Sequence, residues 1–575
     1  MPGAKKKSKK KPKLSAAELA QRRLQRSHRR LIRSAFTAGG FKRVAELADK
    51  QFTFQGSKCD FDDVFIFENV VVLAEYTVHK ESEISSHLKK KKVIFDKILN
   101  SREEFVEFLS SSYSPFHLAT NKIFEWSHYR VVVVYCSYNA LKQETKDEVP
   151  GIVYMDYNVV RYLERVSQTI KRSARCEILE FLGLPYAEVG MALVQPQSGS
   201  TNTYEGSVLP DEHSNFGKGF KVVSFYADPE ALLQRAYVLR RDGWRGGTNL
   251  YQRMISPGKI ESIRSYLVEK GRVFINNLIV TLPPETKLLD ESGHTKDVSS
   301  ITKTSPARVQ LPNEYNSIGI VDGQHRLFAY HEGGAKDEAI EKLRKRQNLL
   351  ITGIVFPPGM SDPEKARFQA TLFLEVNSTQ TNAKTDLKQE IGVMLRPFDS
   401  DSIARRVLNH LNDDPGPLSG HFEKYFFDKD KIKTTTIVRF ALRYLVRLGG
   451  QDSLYAVWDR DDKEELLKGK NDALLAEYIE FCKAEVNQFM SAVLHHVGKE
   501  RWTASRKVPN RLLTTTILNG LIACMRRLAK ADLIAGYASY DKALKGLDQF
   551  SFTPFKSSQY NSLGDALFES FFEAS

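Results

Sequence analysis

The sequence predicts an α/β multidomain chain that ends in an α-helical C-terminal domain. Three observations carry that prediction. The 575 residues are 42% hydrophobic and 27% charged, enough apolar material for several cores and a length that suggests roughly three or four domains. Apolar runs of strand length, such as 70–74 and 131–136, alternate with helical periodicity up to about residue 395. Beyond that point the apolar positions recur at a helical period alone. The composition excludes a wholly disordered chain. No run of about 18 uncharged apolar residues exists, so neither a membrane-spanning helix nor a membrane partner is expected. Five widely spaced cysteines (Cys59, Cys136, Cys176, Cys482 and Cys524) argue against a disulfide framework and for a cytoplasmic setting. The lysine-rich start lacks the apolar segment of a secretory signal.

Charge is unevenly placed. Residues 1–33 hold seven Lys and six Arg against the single acid Glu18, which is +12 of the net +14. Positions 1–13 are too charged to bury anything, and Ser15 reads as the N-cap of a helix. This basic arm is either a solubilising tail or a phosphate-binding arm, with Lys5, Lys6, Lys7, Arg22, Arg29 and Arg30 as its DNA-binding cations.

The chain then divides into residues 34–195, 196–395 and 396–575. The polar Gly/Ser-rich stretch 195–217 reads as a linker. Within 434–448, the set Ile437, Phe440, Ala441, Tyr444, Leu445 and Leu448 is expected on one helix face and Arg439, Arg443 and Arg447 on another. That arginine stripe is either a solvated face or a nucleic-acid contact.

The first chemical constellation is CDFDDVFIFENVVVLAEYT, residues 59–77. Residues 64–67 and 70–73 read as two strands joined by a tight turn at Glu68 and Asn69. The hairpin returns its far end to its start, so Asp62 or Asp63 and Glu75 can share one Mg²⁺, a hard cation that prefers carboxylate oxygens. Solvated strand ends look the same. The order of helix, acid, hairpin, buried strand and Glu-x-x resembles the restriction-endonuclease-like family over about residues 36–180. The resemblance implies a metal-dependent nuclease domain, and a helix at 41–49 is expected to supply a further acid, Glu46. The family's Glu-x-Lys reads Glu75-Tyr76-Thr77 here. Either another cation substitutes, with Lys80 and the run 89–92 nearest, or the domain holds DNA without cutting it.

The second constellation is IGIVDGQHRLFAYHEGG, residues 318–334. Residues 318–321 form a buried strand, Asp322 and Gly323 a sharp turn, and Gln324 opens a helix. Such a unit points backbone N–H groups at an anion, and His325 and Arg326 lie where the helix dipole disfavours cations. The alternative is an internal ion pair of Arg326 with Asp322 or Glu332. The Asp-Gly-Gln-His-Arg run resembles the DGQHR-domain family, which includes DndB-like proteins of bacterial DNA-modification systems and is related to the ParB/sulfiredoxin fold. That resemblance covers about residues 215–395. It implies a site for ATP or another NTP in which Gly323, His325 and Arg326 hold phosphates and Asp322 or Gln324 positions metal or water. It also implies that Gln252, Arg253, Asn377, Thr379 and Gln380 complete the pocket. Together the resemblances imply an NTP-hydrolysing, DNA-binding component of a DNA-modification or antiphage defence system, working with other proteins of its operon and able to self-associate. The alternative is a non-enzymatic DNA-binding regulator with both sites degenerate. No Walker-type loop is present. His495 and His496 read as a surface pair, and Trp244 as a loop residue packing a domain edge or stacking on a base.

Overall fold

The computed structural model describes residues 15–194, 202–240, 244, 254–297, 301–378 and 385–573. The chain is a mixed α/β protein of two compact units that part near Met360.

In the first unit, Ser15 caps the opening helix, as its sequence predicts. Its hydroxyl accepts the Glu18 N–H at 3.2 Å while the Glu18 carboxylate accepts the Ser15 N–H at 2.8 Å. The helix α1 (Ala16–Ala38) then buries His28, Ile32, Ala35 and Phe36. It is therefore an integral element, and the expected boundary at 33/34 falls inside it. The expected helix at 41–49 is instead β1 (Lys42–Arg43) followed by a single 3₁₀ turn, Ala45–Leu47, with Glu46 exposed.

A small hairpin, β2 (Phe52–Phe54) and β3 (Ser57–Cys59), precedes the main one, β4 (Asp63–Phe67) and β5 (Val70–Thr77). The turn between β4 and β5 comes where expected, with Glu68 at φ 48°. The Asn69 amide locks it, donating to the His128 and Glu188 carbonyls at 2.8 and 2.9 Å and accepting the Gly190 N–H at 2.8 Å. Beyond the helix α2 (Glu81–Asn100), β6 (Arg130–Ser137) and β7 (Val153–Asp156) complete a sheet in the order β1-β4-β5-β6-β7. The first three strands are antiparallel and the last two pair in parallel. The two-residue period of the strands sorts their side chains. Phe65, Val70, Val72 and Val134 pack with α1 and the helix Tyr157–Ile170, whereas Val64, Ile66, Val71, Leu73 and Val133 pack with α2.

A second sheet of eight strands follows: β8 (Thr203–Val208), β9 (Lys221–Ala227), β10 (Ala236–Tyr237), β11 (Leu278–Leu282), β12 (Lys287–Leu289), β13 (Ser305–Gln310), β14 (Ile318–Asp322) and β15 (Leu349–Val355). Their order is β10-β14-β11-β15-β9-β8-β13-β12. The stretch read as a linker thus contributes a strand, β8, at positions 203–208.

One hydrophobic core runs from Ile32 to Val355 and serves both sheets, so 34–195 and the greater part of 196–360 share one unit, while 361–395 belongs to the helical unit. Residues just past the helix Tyr157–Ile170 hold the first two stretches together. Arg175 grips Glu332 at 2.7 Å, Arg172 pairs with Asp337 at 2.9 Å, and the Ser173 hydroxyl accepts the Glu332 N–H at 3.0 Å. Trp244 meets Phe181 edge-on at 5.5 Å, a packing role.

Residues 361–573 form a helical unit with its own core. The helices Thr515–Lys530 and Tyr560–Phe571 approach so closely that a Cβ on Gly520 or Gly564 would collide with Leu563 or Ala523. All five cysteines are buried free thiols, and no helix among the described residues is long and apolar enough to cross a membrane.

Because Phe36 stacks on Phe65 at 4.7 Å in the shared core, Phe36→Ala should cost about 3–5 kcal/mol. Urea unfolding checks this, and a loss under about 1 kcal/mol would mean that α1 is dispensable to the core.

Candidate functional site

The hairpin register pairs Asp63 with Ala74, which puts Asp62 opposite Glu75 at the open end of the β4–β5 pair. Four cations from three elements converge on these acids. From α1, Arg29 clasps Asp49 at 2.9 Å and also reaches Asp62, whose other oxygen accepts the Tyr76 N–H at 2.7 Å. Asp63 is fully buried on the α1 side of the sheet, held by Arg33 at 2.6 Å and by Arg43. It is committed to those two arginines, so of the two expected acids Asp62 is the one set beside Glu75.

Glu75 lies on the α2 side, 5% exposed. The expected lysine position, Thr77, is buried, and its hydroxyl accepts the His79 N–H at 3.2 Å. The cation comes instead from α2. Lys91 Nζ sits 2.5 Å from the Glu75 carboxylate and also donates to the Asp60 carbonyl at 2.9 Å. Lys80 is exposed, and Lys89 turns to Glu148 at 2.8 Å. Of the candidates in the sequence, Lys91 is the one paired with Glu75 among the described residues.

Burial pushes the Glu75 carboxyl up to about 8, against the pull of the Lys91 ammonium, and the nearby Asp62 and Asp60 push it the same way. Asp62 is also raised, chiefly by burial, with the Tyr76 N–H and Arg29 opposing. Lys91 is held above the ordinary lysine range: burial, the largest single influence, lowers it, but the charge and hydrogen bond of Glu75 together with Cys59 and Asp60 outweigh burial. One ammonium is thus too little positive charge to keep Glu75 ionised at neutral pH. A divalent cation would supply the rest, and the carboxylates of Asp62 and Glu75 are the donors that a hard ion selects.

The second constellation has the expected local structure. Gly323 follows β14 at φ 97°, a conformation open to glycine, and a Cβ there would collide with Leu278. The helix Gln324–Phe328 has only five residues, so its dipole is small. Arg326 is neutralised internally, pairing with Asp322 at 2.9 Å and donating to the Asn277 carbonyl at 2.8 Å. Of the two readings of this motif, the ion pair with Asp322 is the one present, while Glu332 belongs to Arg175. His325 Nε2 accepts the Ser256 N–H at 3.2 Å.

The segment after this helix hangs on a residue that the sequence reading missed. Arg264 is 1% exposed, and its guanidinium collects four carbonyls: Ala329 and His331 at 2.9 Å, Gly333 at 3.2 Å and Ala335 at 3.0 Å. The signal was an arginine in an otherwise apolar stripe, with Ile260 and Leu267 one turn to either side.

Compared with known proteins, the chain matches no family model, no curated protein and no solved structure.

Other expected residues scatter. Asn377 lies in the second unit and spends its amide on the Phe373 carbonyl at 2.8 Å, one turn back in its own helix. Gln252, Arg253, Thr379, Gln380, Lys5, Lys6 and Lys7 lie outside the described residues. Arg22 and Arg30 are exposed on α1, whereas Arg29 is committed to Asp49 and Asp62. Two His–carboxylate clusters, His495–His496–Asp541 and His410–Asp414–Glu480, belong to the helical unit, and His495 bonds Asp541 at 2.6 Å.

A carboxyl raised from 4.5 to about 8 is most favourable to the fold when protonated. The stability it contributes is complete below about 4.5 and is lost as pH rises through about 8. Glu75→Gln, which cannot ionise, should therefore gain in melting temperature relative to the parent chain as pH is raised from about 5 to 9. A difference that is flat across that range would contradict the raised carboxyl.

Proposed function

We propose that the chain is a divalent-metal-dependent DNA nuclease whose site is Asp62, Glu75 and Lys91. One observation carries the reading: the Lys91 ammonium lies 2.5 Å from the Glu75 carboxylate. It restores, from α2, the cation missing at Thr77. The antiparallel hairpin followed by a parallel strand supports the same reading, since it brings both acids to one end of the sheet.

In this proposal Asp62 and Glu75 would hold Mg²⁺, which when bound would supply Lewis-acid chemistry for phosphodiester cleavage. With Glu75 engaged in holding the ion, Lys91 would be the group that orients the attacking water and steadies the charge that develops on the phosphate. Arg22 and Arg30, exposed on α1, hold the DNA backbone. The setting in bacterial DNA modification or antiphage defence is the one implied by the DGQHR resemblance.

A specific observation favours adding a nucleotide to this account. Among the described residues the buried Arg326 Nε–H has no acceptor, so the guanidinium retains a donor for a phosphate oxygen beside the turn at Gly323. ATP or another NTP would compete with Asp322 for Arg326.

Supercoiled DNA incubated with Mg²⁺ or Mn²⁺ tests the nuclease. The parent should nick it, and Lys91→Gln or Glu75→Gln should slow nicking by about 10²–10⁴-fold while the protein stays folded. Cleavage by both variants at the parental rate, or none by the parent, would remove the assignment. Calorimetry with ATP and CTP tests the nucleotide: Arg326→Ala should abolish binding, and equal binding by parent and variant would leave Arg326 as a structural ion pair.

A further inference from the structure

In the helical unit, residues 437–448 read Ile-Val-Arg-Phe, Ala-Leu-Arg-Tyr, Leu-Val-Arg-Leu, a block of four repeated three times. On a regular α-helix such a pattern drifts by about 40° per block, because a turn takes about 3.6 residues. The chain absorbs the drift in a π-turn, Val438–Leu442, between the α-helical segments Thr434–Ile437 and Arg443–Leu445. The wider turn keeps the blocks in phase. Ile437, Val438, Ala441, Leu442, Leu445 and Val446 are all buried. Arg439 and Phe440 of the first block are thereby exposed, while Arg443, Tyr444, Arg447 and Leu448 of the later blocks are half-buried.

This corrects the expectation that Phe440 shares one helix face with Ile437 and Ala441: those two are buried, whereas Phe440 is 43% exposed. The Arg439 guanidinium lies 5.6 Å from its ring and has no carboxylate partner among the described residues. One turn on, the Tyr444 ring is flanked by Arg443 at 5.0 Å and by Arg526, from the helix Thr515–Lys530, at 5.1 Å. Among the described residues, two acids face this group. Asp401 lies 3.4 Å from Arg443, and Asp452 is shared between Arg447 and Arg526. Four guanidiniums against two carboxylates leave a positive surplus around an exposed aromatic ring. π-Turns within α-helices frequently mark functional sites.

We propose that this face binds single-stranded nucleic acid, with an unpaired base stacked on Phe440 and flanking phosphates on Arg439, Arg443 and Arg526. The ring decides for a single strand, because a duplex hides the base faces that an aromatic side chain stacks on. The arginines supply the backbone contacts, and Tyr444 holds two of them in place by cation–π contact.

The full-length protein, kept in EDTA so that binding is read independently of any cleavage, is titrated with fluorescent oligothymidylate, oligouridylate and a duplex. Phe440→Leu should weaken single-strand binding about 5- to 150-fold, the range of one base–aromatic stack, and leave duplex binding unchanged. Arg439→Gln should weaken it and lower the salt slope by about 0.7. Phe440→Trp should restore affinity, and its added fluorescence should be quenched when the oligonucleotide binds. The two oligonucleotides separate a DNA from an RNA ligand. Parental single-strand affinity in Phe440→Leu, an equal loss for duplex and single strand, or unquenched fluorescence in Phe440→Trp would each overturn the proposal.

Discussion

A carboxylate taken out of water keeps its charge only if cations or hydrogen bonds replace the solvent it has lost. The first sheet of this protein ends in such groups. Asp63 has no exposed surface and Glu75 almost none, and the cations that answer them come from α1, from β1 and from α2. Arg33 and Arg43 fully engage Asp63, which fixes α1 and β1 against the α1 face of the hairpin. Glu75 has one ammonium on the other face and is left short of positive charge. The asymmetry separates an acid held by two cations from one held by a single cation, although the two lie only 12 positions apart in the sequence. Breaking a buried pair by removing one partner costs about 3–5 kcal/mol, so the same contacts that poise Glu75 also hold the layers in place.

The helix Tyr157–Ile170 relates this end of the molecule to the Asp322–Arg326 turn. It packs on α1, the helix that carries Arg29 and Arg33. Immediately beyond it, Arg172 and Arg175 hold Asp337 and Glu332, in the segment that follows the turn. Arg264 binds the same segment through four carbonyls. The α1 face of the first sheet and the Asp322–Arg326 turn are therefore built on one continuous core, whereas the Glu75–Lys91 face rests on a core of its own beneath α2.

The hairpin, its turn, the Ser15 cap and the strand–glycine–helix unit at Gly323 were legible because each is a local signal, set by neighbours in sequence. The lysine was legible in part. Ile84, Leu88, Lys91 and Phe95 share the helical spacing of one face of α2, and that spacing singles out Lys91 from its run of four. Its partner could not be read, because which strand end a helix covers depends on long-range packing. The basic arm misled for a related reason. Arg29 and Arg33 sit beside the buried stripe of α1, and charge counting cannot tell a cation that meets solvent from one that meets a buried acid. Phe440 misled because a period of four was read as a period of 3.6, and only the π-turn accommodates it.

The central claim is that Glu75 is a proton-holding carboxyl awaiting a second cation, and metal-linked proton release tests it most directly. Mn²⁺ is titrated into the protein by calorimetry in buffers of differing ionisation enthalpy, from about pH 6.5 to 9. Below the raised value of about 8, binding should expel close to one proton, and apparent affinity should rise about tenfold per pH unit. Both effects should fade above that value and vanish in Glu75→Gln. Metal binding with no proton release at pH 7, or the same release from Glu75→Gln, would contradict the account.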